Sequence, residues 1–317
     1  MRHHMTTWTV MIVCVTLLTT VGTGVSQTRD ITLGCGGATG AYTLQICPAL
    51  QKHLAEKGFT DVKLFPSEGS GANLMDIAHG NRTAALVQMD VFVKALADNP
   101  PYQTFLPLGE IVPEALLLVI RQPGKGGRIT DWSTLTQQYP AGMQPEKFKV
   151  AVAGSEQSGS YITMQTIFQA IPTLAQNTTL SSLTVSPEAA YNYLNSGVLD
   201  AVAFVMMPDS ENPRIASVLK SDTWMFLDIN EPRLETILFN RKPVYVLAEL
   251  AKFGPKGKAL KTPVTYATLL VDPSKTDDAV VRALNEAATN PELLTKESLV
   301  GRWRQWLQGV LKGIKKS

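Results

Sequence analysis

One local pattern occurs twice in this chain and constrains its fold more than any other feature. An apolar run, a turn rich in glycine or serine, and a helical stretch follow one another at 31–57 and again at 148–171. A strand that passes through a tight turn into a helix is the building unit of α/β folds. The two copies share this logic but not their sequence. Each is followed by further strands and helices, which predicts two α/β halves. An apolar fraction of 44% and a charged fraction of 18% are enough to build such cores. They exclude a disordered or fibrous chain.

In the first half, Ile31–Gly34 reads as a strand. Residues 41–57 read as a helix, with Leu44, Cys47, Leu50 and Leu54 at helical spacing and Pro48 bending it. Val62–Pro66 and Ala84–Gln88 read as strands, Ser70–His79 and Val91–Ala97 as helices. Leu106–Arg121 carries apolar runs around Pro113-Glu114, and Leu116–Ile120 has the composition of a buried strand. Farther on, strands are expected at Phe148–Ala153, Leu183–Ser186, Leu199–Val205, Trp224–Ile229, Val244–Leu250 and Thr265–Val271. Helices are expected at Trp132–Tyr139, Tyr161–Ile171, Pro187–Ser196, Asp277–Ala288 and Pro291–Lys312. Long crossing stretches near 108–121 and 222–250 should join the halves, after which the chain returns to the first. The expected division is 27–115 plus 240–317 for the first lobe and 116–239, with the hinge strands, for the second.

Residues 1–26 read as a secretory signal peptide. Arg2, His3 and His4 form a basic start, Val10–Leu18 an apolar centre, and Thr19–Ser26 a small and polar run, with cleavage expected after Ser26. The apolar centre is too short for a bilayer roughly 30 Å thick. Neither Cys14 nor Cys35 has the surroundings of an acylated cysteine. Export would place Cys35 and Cys47 in an oxidising compartment. There they either pair, stapling the first strand to the helix after it, or stay as two small buried apolar residues. A formal charge of +2 lacks the footprint of a nucleic-acid binder. No zinc-type cysteine spacing is present and no cofactor is called for.

The turns carry the chemistry. Gly34–Thr43 follows a strand and opens a helix, so its free backbone N–H groups form an anion seat, or else a tight turn without a ligand. Neither register of this turn completes a dinucleotide fingerprint, and a P-loop is absent. At 154–161, Ser158 and Ser160 either cap the next helix or offer hydroxyls to a ligand. Ser67–Gly71 and Gln88-Met89-Asp90 add polar groups at the C-terminal ends of strands, where open α/β sheets bind ligands.

Five segments together carry a family resemblance: Gly36-Gly37-Ala38-Thr39-Gly40-Ala41-Tyr42, Ser67–Leu74, Gly80 with Ala84–Asp90, Gly154–Ser160 and Gly197–Phe204. Over most of 28–300 the chain resembles the solute receptors of TRAP transporters, in the TAXI subgroup. The resemblance implies a periplasmic-binding-protein fold of the second structural type, whose two lobes close on a small ligand. It implies a small carboxylate such as glutamate or 2-oxoglutarate, membrane subunits of a TRAP transporter as partners, and a monomer in the periplasm. Carried onto this sequence, it implies that Thr39, Gly40, Ala41, Tyr42, Ser70, Gln88, Asp90, Ser155, Ser158, Gly159, Ser160, Tyr161, Phe204 and Met206 line the cleft. Cys35 and the apolar Met206-Met207 depart from the family pattern.

Two other readings follow from the residues: a binding protein of another transporter or signalling receptor for a different amino acid or aromatic ligand, and an exported hydrolase. The hydrolase would need a nucleophile, but no Gly-x-Ser-x-Gly elbow is present. Cys35 or Cys47 with His53 could mimic a cysteine–histidine pair, although His53 sits in a polar, lysine-rich stretch and reads as a surface residue. The last helix has an apolar stripe including Trp303 and Trp306, followed by Lys312, Lys315 and Lys316. It reads as a packed terminal helix or as a membrane-surface or partner-binding one.

Overall fold

The computed structural model describes residues 30–140 and 142–294. The expected signal peptide, and the closing helix beyond residue 294, lie outside the described residues. In chain order the strands are β1 (Ile31–Gly34), β2 (Val62–Phe65), β3 (Ala84–Gln88), β4 (Leu106–Arg121), β5 (Phe148–Ala153) and β6 (Thr178–Leu183). They continue with β7 (Ala201–Met206), β8 (Trp224–Phe226), β9 (Leu238–Phe239), β10 (Lys242–Pro243), β11 (Val246–Leu250) and β12 (Leu260–Val271). The helices are α1 (Cys47–Glu56), α2 (Ser70–Ala78), α3 (Met89–Asp98), α4 (Trp132–Thr136), α5 (Gly159–Ala170), α6 (Pro172–Asn177), α7 (Pro187–Asn195), α8 (Pro213–Leu219) and α9 (Asp278–Thr289).

The two sequence units build the same arrangement twice. In the first half β1 lies parallel to β2 and β3, with Ile31 opposite Val62 and Leu33 opposite Ala84. In the second half β5 lies parallel to β6 and β7, with Phe148 opposite Thr178 and Val150 opposite Ala201. Each trio is followed by an antiparallel strand, β12 beside β3 and β4 beside β7. These two long strands pair with each other, so one sheet runs β2-β1-β3-β12-β4-β7-β5-β6. Two mirrored sets of parallel strands, linked by a pair of crossing strands, form the two-lobed periplasmic-binding-protein fold of the second structural type.

Both faces of this sheet are covered, which explains the near-continuous apolar runs in its strands. In the first half Leu33, Leu86 and Leu269 pack under Leu50, Leu54 and Leu284 from α1 and α9. On the other face Val87 and Leu270 pack against Leu74, Ile77 and Phe92 from α2 and α3. In the second half Leu118 and Val150 meet Met164 and Ile167 of α5, while Leu117 and Phe204 meet Ile215 and Phe226.

Several expectations are corrected. The second crossing strand is β12, and 222–250 does not cross. Val244 and Tyr245 pack in one core of the second half, and Ala248, Leu250, Phe253, Leu260 and Val264 pack in the other. Strand β6 lies earlier than the expected Leu183–Ser186, because it is a sheet-end strand with polar Ser181 and Ser182 and little apolar signal. Helix α8 escapes the periodicity reading because it has only seven residues. Its start is set by Asn212, whose side chain accepts from the Arg214 N–H at 3.0 Å.

Pro48 acts as expected but at a defined place. It has no N–H to donate to Leu44, and the turn before it, Tyr42–Ile46, widens to π geometry before α1 begins. The cysteines resolve toward pairing: Cys35 and Cys47 form a disulfide with their Cα atoms 6.1 Å apart. It joins the end of β1 to the start of α1. His53 is buried, not solvated, at 6% exposure. With both sulfurs in the disulfide, no free thiol stands near it among the described residues.

Candidate functional site

The first-half strands end where α2 and α3 begin, and the second-half β5 ends where α5 begins. The two halves touch at these ends. The Gly71 N–H donates to the Gln157 carbonyl at 3.0 Å across the seam. A Cβ at Gly71 would lie 2.9 Å from that carbonyl oxygen and 2.7 Å from Ile162. Gly69, at φ +132°, lies against Ser158 in the same way, where a Cβ would come within 2.9 Å of its Cα. Glycine is required at both positions for the backbones to approach this closely. The turns that meet are therefore 67–71 and 157–159. The turn at 34–43 adjoins the 67–71 turn, where the Ser67 N–H donates to the Gly36 carbonyl at 2.8 Å, and carries Tyr42 toward Glu114.

Helix α3 places Asp90 in its first turn, and α5 places Thr163 one turn into its length. Tyr245 donates to the Asp90 carboxylate at 2.7 Å, and Thr163 donates to the same oxygen. Asp90 belongs to the first half, whereas Thr163 and Tyr245 pack with the second, so this carboxylate ties the halves together. Burial pushes the Asp90 carboxyl up from its usual range, against the pull of the two hydroxyls. The same burial, with the charges of Asp90 and Glu114 nearby, pushes the phenols of Tyr245 and Tyr42 well above theirs.

Glu114 is the central residue that the sequence reading missed. It lies on β4 where the two crossing strands run side by side, opposite Thr265 of β12. One strand farther, Gln88 lies opposite Ala267. Burial pushes the Glu114 carboxyl up to about 7, although Tyr42 and Gln88 beside it pull it down. The Tyr42 hydroxyl lies close enough to Glu114 to act on its carboxyl. Ser70 Oγ accepts from the Gln88 N–H at 3.1 Å and lies close to Gly159. A Cβ at Gly159 would fall 1.6 Å from Gln88 Oε1, so this side chain is aimed at the start of α5.

The structure thus brings together Tyr42, Ser70, Gln88, Asp90 and Gly159 from the expected set. The others take different places. Thr39 is exposed, with Gly40 and Ala41 on the half-buried turn behind it; the Gly40 N–H closes that turn onto the Gly37 carbonyl at 2.7 Å. Ser155 and Ser158 serve the local backbone: Ser155 accepts from Gln157, and Ser158 caps α5 by accepting from the Tyr161 N–H at 3.2 Å. The capping reading therefore holds for Ser158. Ser160 fastens α5 to β7, accepting from the Val205 N–H at 2.8 Å. Tyr161 packs against the core under α5.

Phe204 and Met206 do not line the seam. Both pack on the opposite face of the sheet, where Phe204 meets Tyr191 edge to face at 6.3 Å. Strand alternation is the reason: Ala203 and Val205 take the α5 face, which leaves Phe204 and Met206 the other. One sequence signal did mark Glu114. It is the only charged residue between Glu110 and Arg121, inside an otherwise apolar run. Nothing local marks Tyr245.

The chain matches no protein-family model and no curated protein. Among solved structures it is similar to the VFT2 domain of Bordetella pertussis BvgS, crystallised as a double mutant: 12% identity, TM-score 0.48, covering 87% of this chain and 92% of that one. It is similar to the GluR0 ligand-binding core of Nostoc punctiforme in complex with L-glutamate: 15% identity, TM-score 0.47, covering 86% and 98%. It is also similar to the periplasmic aliphatic sulphonate binding protein SsuA of Escherichia coli: 13% identity, TM-score 0.44, covering 87% and 82%.

Proposed function

We propose that this protein is an exported solute receptor that captures a small polar metabolite between its lobes and passes it to a membrane transporter. The observation that carries this reading is the seam itself. Polar side chains from both halves are buried there, beside the two strands that cross between lobes. Parting the lobes about β4 and β12 would expose these groups, and closing them would enclose a ligand. The lobes are taken as 27–115 with the chain from about 265 onward, and 116–264.

The binding set is taken as Tyr42, Ser70, Gln88, Glu114 and the start of α5 at Gly159. Helices α2, α3 and α5 all begin at the seam, and their N-terminal backbone groups favour a carboxylate. This supports the dicarboxylates and acidic amino acids expected from the sequence. Delivery to TRAP-type membrane subunits, as a TAXI-subgroup receptor, rests on the sequence resemblance alone. The Cys35–Cys47 disulfide fits an oxidising compartment, and among the described residues no helix is long and apolar enough to cross a membrane.

A thermal-shift screen of dicarboxylates, amino acids and aromatic acids tests the reading. A true ligand at a hundred times its Kd stabilises the folded protein by about 2.7 kcal/mol. If no compound in the screen raises the melting temperature, and no small molecule leaves with the natively purified protein, the receptor reading fails.

A further inference from the structure

Between β8 and β11 the chain forms a hairpin outside the main sheet. Strands β9 and β10 make a two-stranded sheet of their own, with Lys242 opposite Phe239 and Pro243 opposite Leu238. Asn240 and Arg241 form its turn at φ +48° and +66°, the left-handed pair that a two-residue hairpin turn requires. The base is rooted in the second half. There the Val244 N–H donates to the Ile237 carbonyl at 2.8 Å, and Val244 and Tyr245 are buried in the second-half core. The tip, 240–243, is exposed. Strand alternation turns Leu238 outward, at 54% exposure, and Phe239 inward.

Phe239 reaches beyond its own half. It packs against the second-half core and also against the first-half cluster that holds Leu74, Ile77 and Phe92. Its ring meets that of Phe92 on α3 edge to face, with centroids 5.8 Å apart. Other apolar side chains cross the seam at the same helix. Met89 and Val93 of α3 pack on the second-half core, and Ile162 of α5 packs on the first-half cluster. All of these contacts form without a ligand. Parting the lobes would uncover Phe92, now 1% exposed, and the hydration of that apolar surface opposes opening.

We propose that this hairpin is a strap: rooted in the second lobe and gripping α3 of the first through Phe239, it holds the lobes together while no ligand is bound. This rests on the receptor reading for the parting of the lobes and names no ligand. A ligand can drive closure only through contacts it makes better in the closed form. Here apolar burial supplies part of that drive before any ligand arrives. The strap grips an empty cleft and a filled one alike. It therefore governs how fast a ligand enters and leaves, and not which ligand is held.

Distances between spin labels at the exposed Lys52 of α1 and Asn192 of α7 test the strap, in the full chain after native mass spectrometry shows no bound small molecule. The wild type is expected to be mainly closed. Phe239→Ala should raise the ratio of open to closed molecules about tenfold, because it removes the aromatic pair and the apolar surface behind it. Phe239→Leu should raise it less. Leu238→Ala alters the outward face of the same strand and should leave the ratio unchanged. A wild type already mainly open without ligand overturns the proposal. So does a Phe239→Ala distribution identical to the wild type's, or an equal shift in Leu238→Ala. Circular dichroism checks that each variant folds. If Phe239→Ala does not, Phe239→Leu and Phe92→Leu carry the test: a smaller shift toward open in both supports the strap, and no shift in either overturns it. The ligand screen is read separately, so a receptor that binds a ligand but lacks the strap keeps the first reading and loses this one.

Discussion

Glu114 costs the folded protein stability, and the cost depends on pH. Its carboxyl has a folded-state pKa of about 7 against an ordinary 4.5. Between those values the unfolded chain loses this proton while the folded chain keeps it. Stability contributed by the neutral carboxyl is therefore lost as pH rises, and the loss is complete above about pH 7. A difference of this size corresponds to about 3 kcal/mol. Urea unfolding at pH 5 and pH 8 should show that drop in the wild type and a much smaller one in Glu114→Gln. Equal drops in the two proteins would refute the assignment. At this scale the sequence was half legible. Tyr42, Ser70, Gln88 and Asp90 stand at strand ends and turns, where local pattern predicts exposure to a ligand. Glu114 lies mid-strand, and only the pairing of β4 with β12 shows why a carboxylate sits there. Tyr245 comes from residues far along the chain, and its bond to Asp90 is invisible until the fold is known.

The elements with strong apolar runs were legible to the residue: β1, β3 and β5 begin and end where the pattern puts them. The failures have physical causes. Edge strand β6 carries polar residues, α8 is too short to show a period, and the face taken by Phe204 depends on alternation fixed by its neighbours. Two predictions belong to this scale. The disulfide closes a loop between residues twelve apart, which in the chain-entropy account is worth about 3 kcal/mol. Cys35→Ala with Cys47→Ala should lower the unfolding free energy by about that amount, and an unchanged urea midpoint would contradict it. In β4, the pairing with β12 skips at Gly109–Ile111, and Gly109 has φ +72°. A Cβ there would lie 2.5 Å from the Ala288 carbonyl oxygen of α9. Gly109→Ala should therefore cost about 2–3 kcal/mol, since both the backbone conformation and the space resist it.

Across the whole molecule the two halves are held by few polar contacts. Asp90 gathers hydroxyls from Thr163 and Tyr245, and the 67–71 turn leans on 157–159. A hydrogen bond to a charged acceptor is worth about 1.5–3 kcal/mol, so Tyr245→Phe should shift the balance between closed and open forms roughly tenfold or more toward open. Distances between spin labels on α1 and α7 would report this. A distance distribution identical to that of the wild type would show that the contact does not hold the lobes.

The placement of β12 also sets the order in which the chain can be completed. It lies between β3 and β4 in the sheet, yet it comes from 260–271. Helix α9, which covers the first-half core, follows it at 278–289. As the chain leaves the ribosome, β1, β2 and β3 are made first but must wait, one flank of their sheet open, until the entire second half has been synthesised. The half that begins the protein is the last to be finished. Its assembly thus belongs to the end of translation or after it, and an exposed β3 edge is the hazard that any chaperone of this chain has to cover.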